Sequence, residues 1–300
     1  MQANPGNTAV RNQLQTADNF DHWFDLVPAN TPTLREHAYR LRFQVYCKER
    51  NYEDPRNHPN QCESDEYDVR SSHSLLIERA TGLVAGTVRL ILPHPDGPGA
   101  SFPFQRLCTV PLFSDARRFA NCAEISRFSI SKEFRQRTLQ QSAMHSAHQC
   151  LAASPVPESL MPCLTLGLIK GVIHMSAMQG VTDLLAVMEP ALLRLLSRLG
   201  VHFHKIGPLV EFHGLRQPCH IDLETLLTRV AKERHDVWRI ITNEGQLIDL
   251  LNHRHPQTRR PRGVVPGVSA QAPCRAIPLP EHEGSFHLRI NPLPQPPSRL

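Results

Sequence analysis

The chain has 300 residues, 40% apolar and 20% charged, and its 33 Lys and Arg outnumber 28 Asp and Glu for a net charge of +5. That apolar content builds a globular core, as one large or two small domains. The charge suits an acidic partner but falls short of a dedicated nucleic-acid binder, so no nucleic acid is expected.

The eight cysteines (Cys47, Cys62, Cys108, Cys122, Cys150, Cys163, Cys219 and Cys274) form no CxxC pair and no Cys/His run at zinc-ligand spacing. They read as reduced structural thiols, and no metal is expected. Residues 1–7 lack a basic stretch followed by an apolar one, so no secretory signal is expected. The most apolar span, 164–178, is interrupted by Lys170 and His174 and reads as too short to cross a membrane. The expectation is a cytoplasmic protein without a transmembrane segment.

In chain order, residues 1–18 are polar and read as a flexible N-terminus. Residues 20–27 collect aromatic and β-branched side chains into a first strand, stopped by Pro28. Asn30-Thr31-Pro32 supplies a helix N-cap with proline in the first turn, and Leu34, Ala38, Leu41 and Val45 fall on one face of the helix that follows. Arg42 and Tyr46 lie one turn apart at the edge of that stripe, both able to reach inward. A polar loop over 51–60 leads into Glu63-Ser64-Asp65-Glu66-Tyr67-Asp68, four acids in six residues. Residues 74–78 and 83–92 form a hairpin about Ala80-Thr81-Gly82. Its second strand puts Val84, Gly86, Val88 and Leu90 on one face and Thr87 and Arg89 on the other. An arginine in so apolar a strand needs a carboxylate, from the acidic segment or from Glu124.

After a Pro/Gly loop over 93–103 and a helical turn over 104–107 comes the strand Glu124-Ile125-Ser126-Arg127-Phe128-Ser129-Ile130. Its acid and base point to opposite faces of a regular strand and share one only across a bulge. Residues 131–137 lead into a helix through Ser142, Ala143 and Ala147, and 152–162 reads as a loop. A buried helix over 164–178, a buried strand over 180–188 and a helix over 191–199 closed by Gly200 follow. Strands return at 201–206 and 210–213, with 217–221 as a further candidate, and Asp222 caps a helical segment running to about Leu251. His202 and His204 share a strand face with no third ligand, which makes no metal site. The expected architecture is an α/β domain with a mixed central sheet flanked by helices over 19–221, a helical extension over 222–252, and a disordered Pro/Arg-rich tail over 253–300.

Arg42 with Tyr46, Tyr52, the acids Glu63, Asp65 and Asp68, Val84-Ala85-Gly86-Thr87-Val88-Arg89-Leu90, and Glu124-Ile125-Ser126-Arg127-Phe128 together resemble, in order and spacing, the autoinducer-synthase branch of the GNAT-like (acyl-CoA N-acyltransferase) fold. The loop insertions, the helical segment around Trp238 and the proline-rich tail resemble the acyltransferases associated with the PEP-CTERM/exosortase system. Two departures stand out. Tyr46 and Tyr52 replace an aromatic Phe and a Trp, so a homoserine-lactone product does not carry over. The glycine-rich pyrophosphate loop is replaced by Arg135-Gln136-Arg137-Thr138-Leu139-Gln140, whose lack of glycine limits close backbone approach to a pyrophosphate and favours acyl-carrier protein over a coenzyme A donor.

The resemblance implies transfer of a fatty acyl group from an acyl-carrier-protein thioester to a small amine such as an amino acid. No bound cofactor is implied. There is no GxSxG elbow and no evident Cys/His arrangement, so direct attack without an acyl-enzyme is the simpler chemistry. In that scheme Glu124 is the general base, and a bulge brings Arg127 to the same pocket as a second catalytic residue. Arg42, Tyr46, Tyr52, Asp65, Asp68 and Arg89 bind substrate, with Arg89 and Arg127 as partners of Asp65, Asp68 and Glu124. The acyl chain lies near residues 184–188, and Arg117, Arg118, Lys132, Arg135 and Arg137 dock the acidic carrier. The alternatives are an acyl-CoA-dependent transferase and a non-catalytic GNAT-like module that binds an acyl ligand.

Overall fold

The structure, a computed structural model, describes residues 20–97, 101–108, 116–137 and 160–254. The expected flexible N-terminus, the helix through Ser142, Ala143 and Ala147, and the tail beyond Arg254 lie outside the described residues.

One eight-stranded sheet forms the centre. Its strands are β1 (Phe24–Pro28), β2 (Ser71–Glu78), β3 (Val84–Ile91), β4 (Cys122–Ile130), β5 (Asp183–Met188), β6 (His204–Lys205), β7 (Val210–Glu211) and β8 (Leu215–Asp222). They run in the order β1-β2-β3-β4-β5-β8-β6, with β7 against β8. Only β4 and β5 pair in parallel, so the mixed sheet expected from the sequence is present. A parallel pair needs a crossover between its strands. Here the crossover contains helix α2 (Leu160–Gln179), which follows α1 (Pro32–Phe43) among the long helices.

Helix α2 is apolar all round because it is covered all round. Leu164, Leu168, Ile169, Val172 and Ile173 are buried in one cluster with Leu76, Val88 and Leu90 of the sheet and with Val237, Ile240 and Leu247 of the C-terminal helices. Close approach to the sheet depends on Gly167, where a Cβ would stand 2.7 Å from Leu76 Cδ1. The helix begins at Leu160, earlier than expected, and its 20 residues are long and apolar enough to cross a membrane. In the fold 78% of that stretch is buried inside the protein, as a core helix requires. Lys170, the charge that interrupts it, is held by Asp21 at 2.7 Å.

Three other expectations change. Residues 20–23 are helical, so the first strand starts only at Phe24. The strand expected over 201–206 shrinks to His204–Lys205, while β8, read from sequence only over 217–221, becomes the full partner of β5. Helix α3 (Pro190–Arg198) lies between β5 and β6, and beyond β8 come α4 (Leu223–Glu233), α5 (His235–Thr242) and α6 (Gln246–Arg254), the last of which extends two residues into the expected tail. The Asp222 carboxylate accepts from the Thr225 N–H at 2.7 Å and so caps α4 as its sequence position predicts. Replacing it with alanine should cost about 1 kcal/mol in urea denaturation, the usual loss of an N-cap.

Candidate active site

Strand β4 carries the bulge that the acid and base required. Pairing with β3 runs Ile91–Glu124, Leu90–Ile125 and Arg89–Ser126, then resumes at Thr87–Ser129, so Arg127 and Phe128 both stand opposite Val88. Arg127 absorbs the extra residue at φ +50°, a left-handed conformation rare for a bulky side chain. On the other side, pairing with β5 stops at Ile125–Ala186, while β5 goes on to pair with β8 through Met188. Beyond Ile125 the two central strands therefore part, and a cleft opens between them.

The acidic segment folds back onto three arginines. Arg42 gives Nε to Glu63 at 2.5 Å and both terminal nitrogens to Asp68 at 2.7 and 3.0 Å. Arg89 reaches Asp65 at 2.5 Å, Asp68 at 2.8 Å and the Ser126 hydroxyl at 2.8 Å. Arg127 turns to Glu63 at 2.8 Å and Asp65 at 3.2 Å, with Glu53 at 3.7 Å. Glu63 thus bridges Arg42 and Arg127, a position sequence reading did not assign it. Burial works against its charge, but the two guanidinium groups outweigh it and hold the carboxyl down at about 2. The same balance holds Asp68 well below the usual carboxylate range: burial opposes its charge, and hydrogen bonding by Arg42 and the charges of Arg42 and Arg89 favour it. The charges are therefore permanent near neutral pH, and the network acts as rigid support for the back of the cleft.

Glu124 stands apart from that network. It takes part in no ion pair among the described residues, which corrects its expected pairing with Arg89 and Arg127. The groups nearest in sequence to that role are satisfied by Glu63, Asp65 and Asp68 instead. Glu124 is 4% exposed, and its Oε2 accepts the Phe104 N–H at 2.9 Å. Burial pushes its carboxyl up to about 7, against the pull of the Phe104 N–H and the more distant arginines. The result is a carboxyl poised between acid and base near neutrality. The Pro103–Arg106 turn that supplies the Phe104 N–H was read from sequence as a helical turn without a role.

Glu124, Ser126, Arg127 and Phe128 line a cavity of about 390 Å³ that continues between β4 and β5 under Met161 and Ile169 of α2 and Leu192 and Leu195 of α3. Of residues 184–188, beside which the acyl chain is expected from the sequence, Ala186, Val187 and Met188 line the cavity. Tyr46 and Tyr52 also line it, together with Arg89, Phe212, His213 and Arg216. Tyr46 sits on a π-helical segment, Gln44–Glu49, which continues α1 and rotates it away from Arg42. Its ring packs under the Arg127 guanidinium at 4.8 Å and meets Tyr52 edge-on at 6.0 Å. Arg42, Asp65 and Asp68, expected to bind substrate, do not line the cavity and stand behind it.

The expected docking residues do not share a face. Arg118 precedes β4 and is bound to Asp183 at 2.6 Å, whereas Lys132, Arg135 and Arg137 follow its far end, roughly 30 Å away at the usual strand rise. Arg117 carries a side chain outside the described set. Arg135 lines the cavity, and the Lys132 N–H is held by Glu49 at 3.1 Å. Cys122, beside the site strand, is fully buried, and burial pushes its thiol far above the normal range, as for a packing residue. Among the described residues no group of three or more His, Cys, Asp and Glu comes together to hold a metal.

Residues 41–145 match the acetyltransferase (GNAT) domain family. Comparison with curated protein sequences gives no match. Similar solved structures include TofI in a ternary complex with an inhibitor and MTA, at 20% identity over 69% of this chain and 96% of that one, with a TM-score of 0.49. The AHL synthase LasI is 19% identical over 66% of this chain and 88% of its own, with a TM-score of 0.44. FeeM, an N-acyl amino acid synthase from uncultured soil microbes, is 14% identical over 69% of this chain and 93% of its own, with a TM-score of 0.43.

Proposed function

From a chain that carries an acyltransferase domain of GNAT fold, we propose an N-acyltransferase that moves a fatty acyl group from a thioester to a small amine. The observation that carries this reading is Glu124: a buried carboxyl in no ion pair among the described residues, pushed up to about 7, at the point where a bulged β4 parts from β5. A base with that poise takes a proton from an ammonium or attacking amine at neutral pH. The neutral amine attacks the thioester carbonyl carbon, and its proton passes to Glu124 directly or through one water. The C–S bond then breaks, and the thiol leaves with a proton.

Strand β4 beyond Ile125 has no partner on the β5 side, and this unpaired backbone at Ser126 to Phe128 supports a role in receiving the developing oxyanion. Arg127 is held by Glu63 and Asp65, so its contribution is to fix the bulge and the Tyr46 ring, not to share a proton with Glu124. Arg42, Asp65, Asp68 and Arg89 serve as the support that keeps this arrangement rigid, and Tyr46 and Tyr52 face the amine. The acyl chain lies in the cleft beside Ala186, Val187 and Met188.

The donor in this reading is acyl-carrier protein, favoured by the absence of glycine from the sequence Arg135 to Gln140 after β4, with acyl-CoA as the alternative. The carrier docks on the Lys132, Arg135 and Arg137 end of β4, beside the exposed Arg50, and not on Arg117 and Arg118 at the other end. Such a donor is met in the cytoplasm. The loop insertions and the tail support a further placement with the acyltransferases associated with the PEP-CTERM/exosortase system. Purified protein mixed with acyl-carrier-protein thioesters and an amine pool should release carrier thiol and form acyl-amides, faster at low than at high salt. Absence of thiol release with both carrier-protein and coenzyme A donors overturns the reading in favour of a non-catalytic acyl-binding module.

A further inference from the structure

The turn between β7 and β8 brings to the cavity residues that the sequence reading left without a role. Phe212, His213 and Arg216 all line it, opposite Tyr52. His213 holds φ +53° and the next residue, Gly214, φ +91°. A left-handed conformation suits glycine but strains a histidine, and such strain persists where the surroundings impose it. The His213 side chain is exposed, so core packing does not impose it. What the conformation achieves is a stack on Tyr52, with ring centroids 5.0 Å apart and planes at 29°.

Arg216 completes this wall. Its guanidinium lies over Tyr52 at 5.7 Å and is largely buried, with 12% of the side chain exposed. Its contacts are long: Glu189 at 3.2 Å, the Tyr52 hydroxyl at 3.3 Å and the Leu215 carbonyl at 3.3 Å. Charge-assisted bonds are usually about 2.7–2.9 Å. Arg89, by contrast, is engaged at 2.5 to 3.0 Å by Asp65, Asp68 and Ser126. Glu189, the only carboxylate on Arg216 among the described residues, is itself 38% exposed and can return to water. Arg50 and Arg135 also line the cavity, but of its cations Arg216 is the one that lies against Tyr52 on the aromatic wall, with capacity for an incoming anion.

We propose that Arg216, held against Tyr52 by the β7–β8 turn, selects acceptors that carry a carboxylate beside the amine, which replaces Glu189 on its guanidinium. This rests on the acyltransferase reading above and adds a residue that decides the acceptor class. The fork of the guanidinium fits a carboxylate bidentately, and the aromatic wall excludes water from the pair.

The test offers the enzyme and its thioester donor either an equimolar mixture of the protein amino acids or the matched mixture of their decarboxylated amines, each below saturation. Wild type should favour the amino acids at least tenfold in amide formed. Arg216→Gln should lose that preference, with amide from the amino acids falling at least tenfold more than amide from the plain amines, and Arg216→Lys should recover part of it. An equal preference in wild type and Arg216→Gln, or an equal loss with both mixtures, overturns the proposal. If wild type forms no amide from either mixture, the acyltransferase reading has failed. Melting then decides the site alone: the amino-acid mixture should raise the Tm of wild type and not of Arg216→Gln, and an equal rise in both counts against it.

Discussion

Glu124→Gln is expected to lower kcat/KM for acyl transfer by about 10²–10⁴-fold, the usual worth of a positioned general base. The amide keeps the shape and still accepts the Phe104 N–H, so the loss isolates the proton transfer from the fold. Because the carboxylate is the working form, wild-type kcat/KM should rise with pH and reach half its plateau near 7, and the variant should lack that limb. A stability effect of opposite sense accompanies it. The folded-state value lies above the ordinary 4.5, so the native state binds the proton more tightly than the unfolded chain. The associated stability is complete below about pH 4.5 and is lost as pH rises through 7. Urea denaturation should therefore show Glu124→Gln gaining on wild type as pH rises from 4.5 to 7, with no further gain above that. Retention of wild-type kcat/KM, or of the acid limb, removes Glu124 from the mechanism.

Glu63→Ala should be the most damaging single change to stability. It leaves Arg42, with no exposed side-chain surface, and Arg127 short of their shared carboxylate. Breaking a buried pair by removing one partner costs about 3–5 kcal/mol, and because Arg42 keeps Asp68 and Arg127 keeps Asp65 the loss here should fall at the lower end, about 3 kcal/mol. Glu63→Gln should recover part of this by keeping one acceptor. The pH dependence again has a definite sign. Glu63 is held at about 2 against an ordinary 4.5, so its contribution is complete above 4.5 and is lost as pH falls toward 2. Acid unfolding of wild type should fall in that window and flatten in Glu63→Gln. A variant within 1 kcal/mol of wild type in urea, with the same acid profile, shows that the network does not hold the fold.

Local chemistry determined a good part of this protein. Thr31 and Asp222 cap their helices where short polar side chains before an apolar period should, through bonds to Leu34 and Thr225. The β2–β3 hairpin follows from two apolar runs about Ala80-Thr81-Gly82, and the need of Arg89 for carboxylates led to the acidic segment, since an unpaired buried charge is too costly. The bulge at Arg127 is not readable from local pattern, which allows a regular strand with the acid and base on opposite faces; it is implied only by the resemblance to the GNAT-like fold, and β4 carries it.

Tertiary structure decided which charges meet. From sequence Glu124 is expected to share the arginines of Asp65, but the folded loop engages both with Glu63, Asp65 and Asp68 and leaves Glu124 buried with the Phe104 N–H, and that burial is what moves its proton affinity. Pairing across 60 residues is set by where the loop lands, and no local pattern encodes that. For the same reason the basic residues flanking β4 fall at opposite ends of a strand, although they look like one cluster when the chain is read as a line. Arg216 is the furthest case. It sits in a strand whose own residues show little period, and only the pairing of β8 with β5 carries it to the mouth of the cleft that β4 and β5 open.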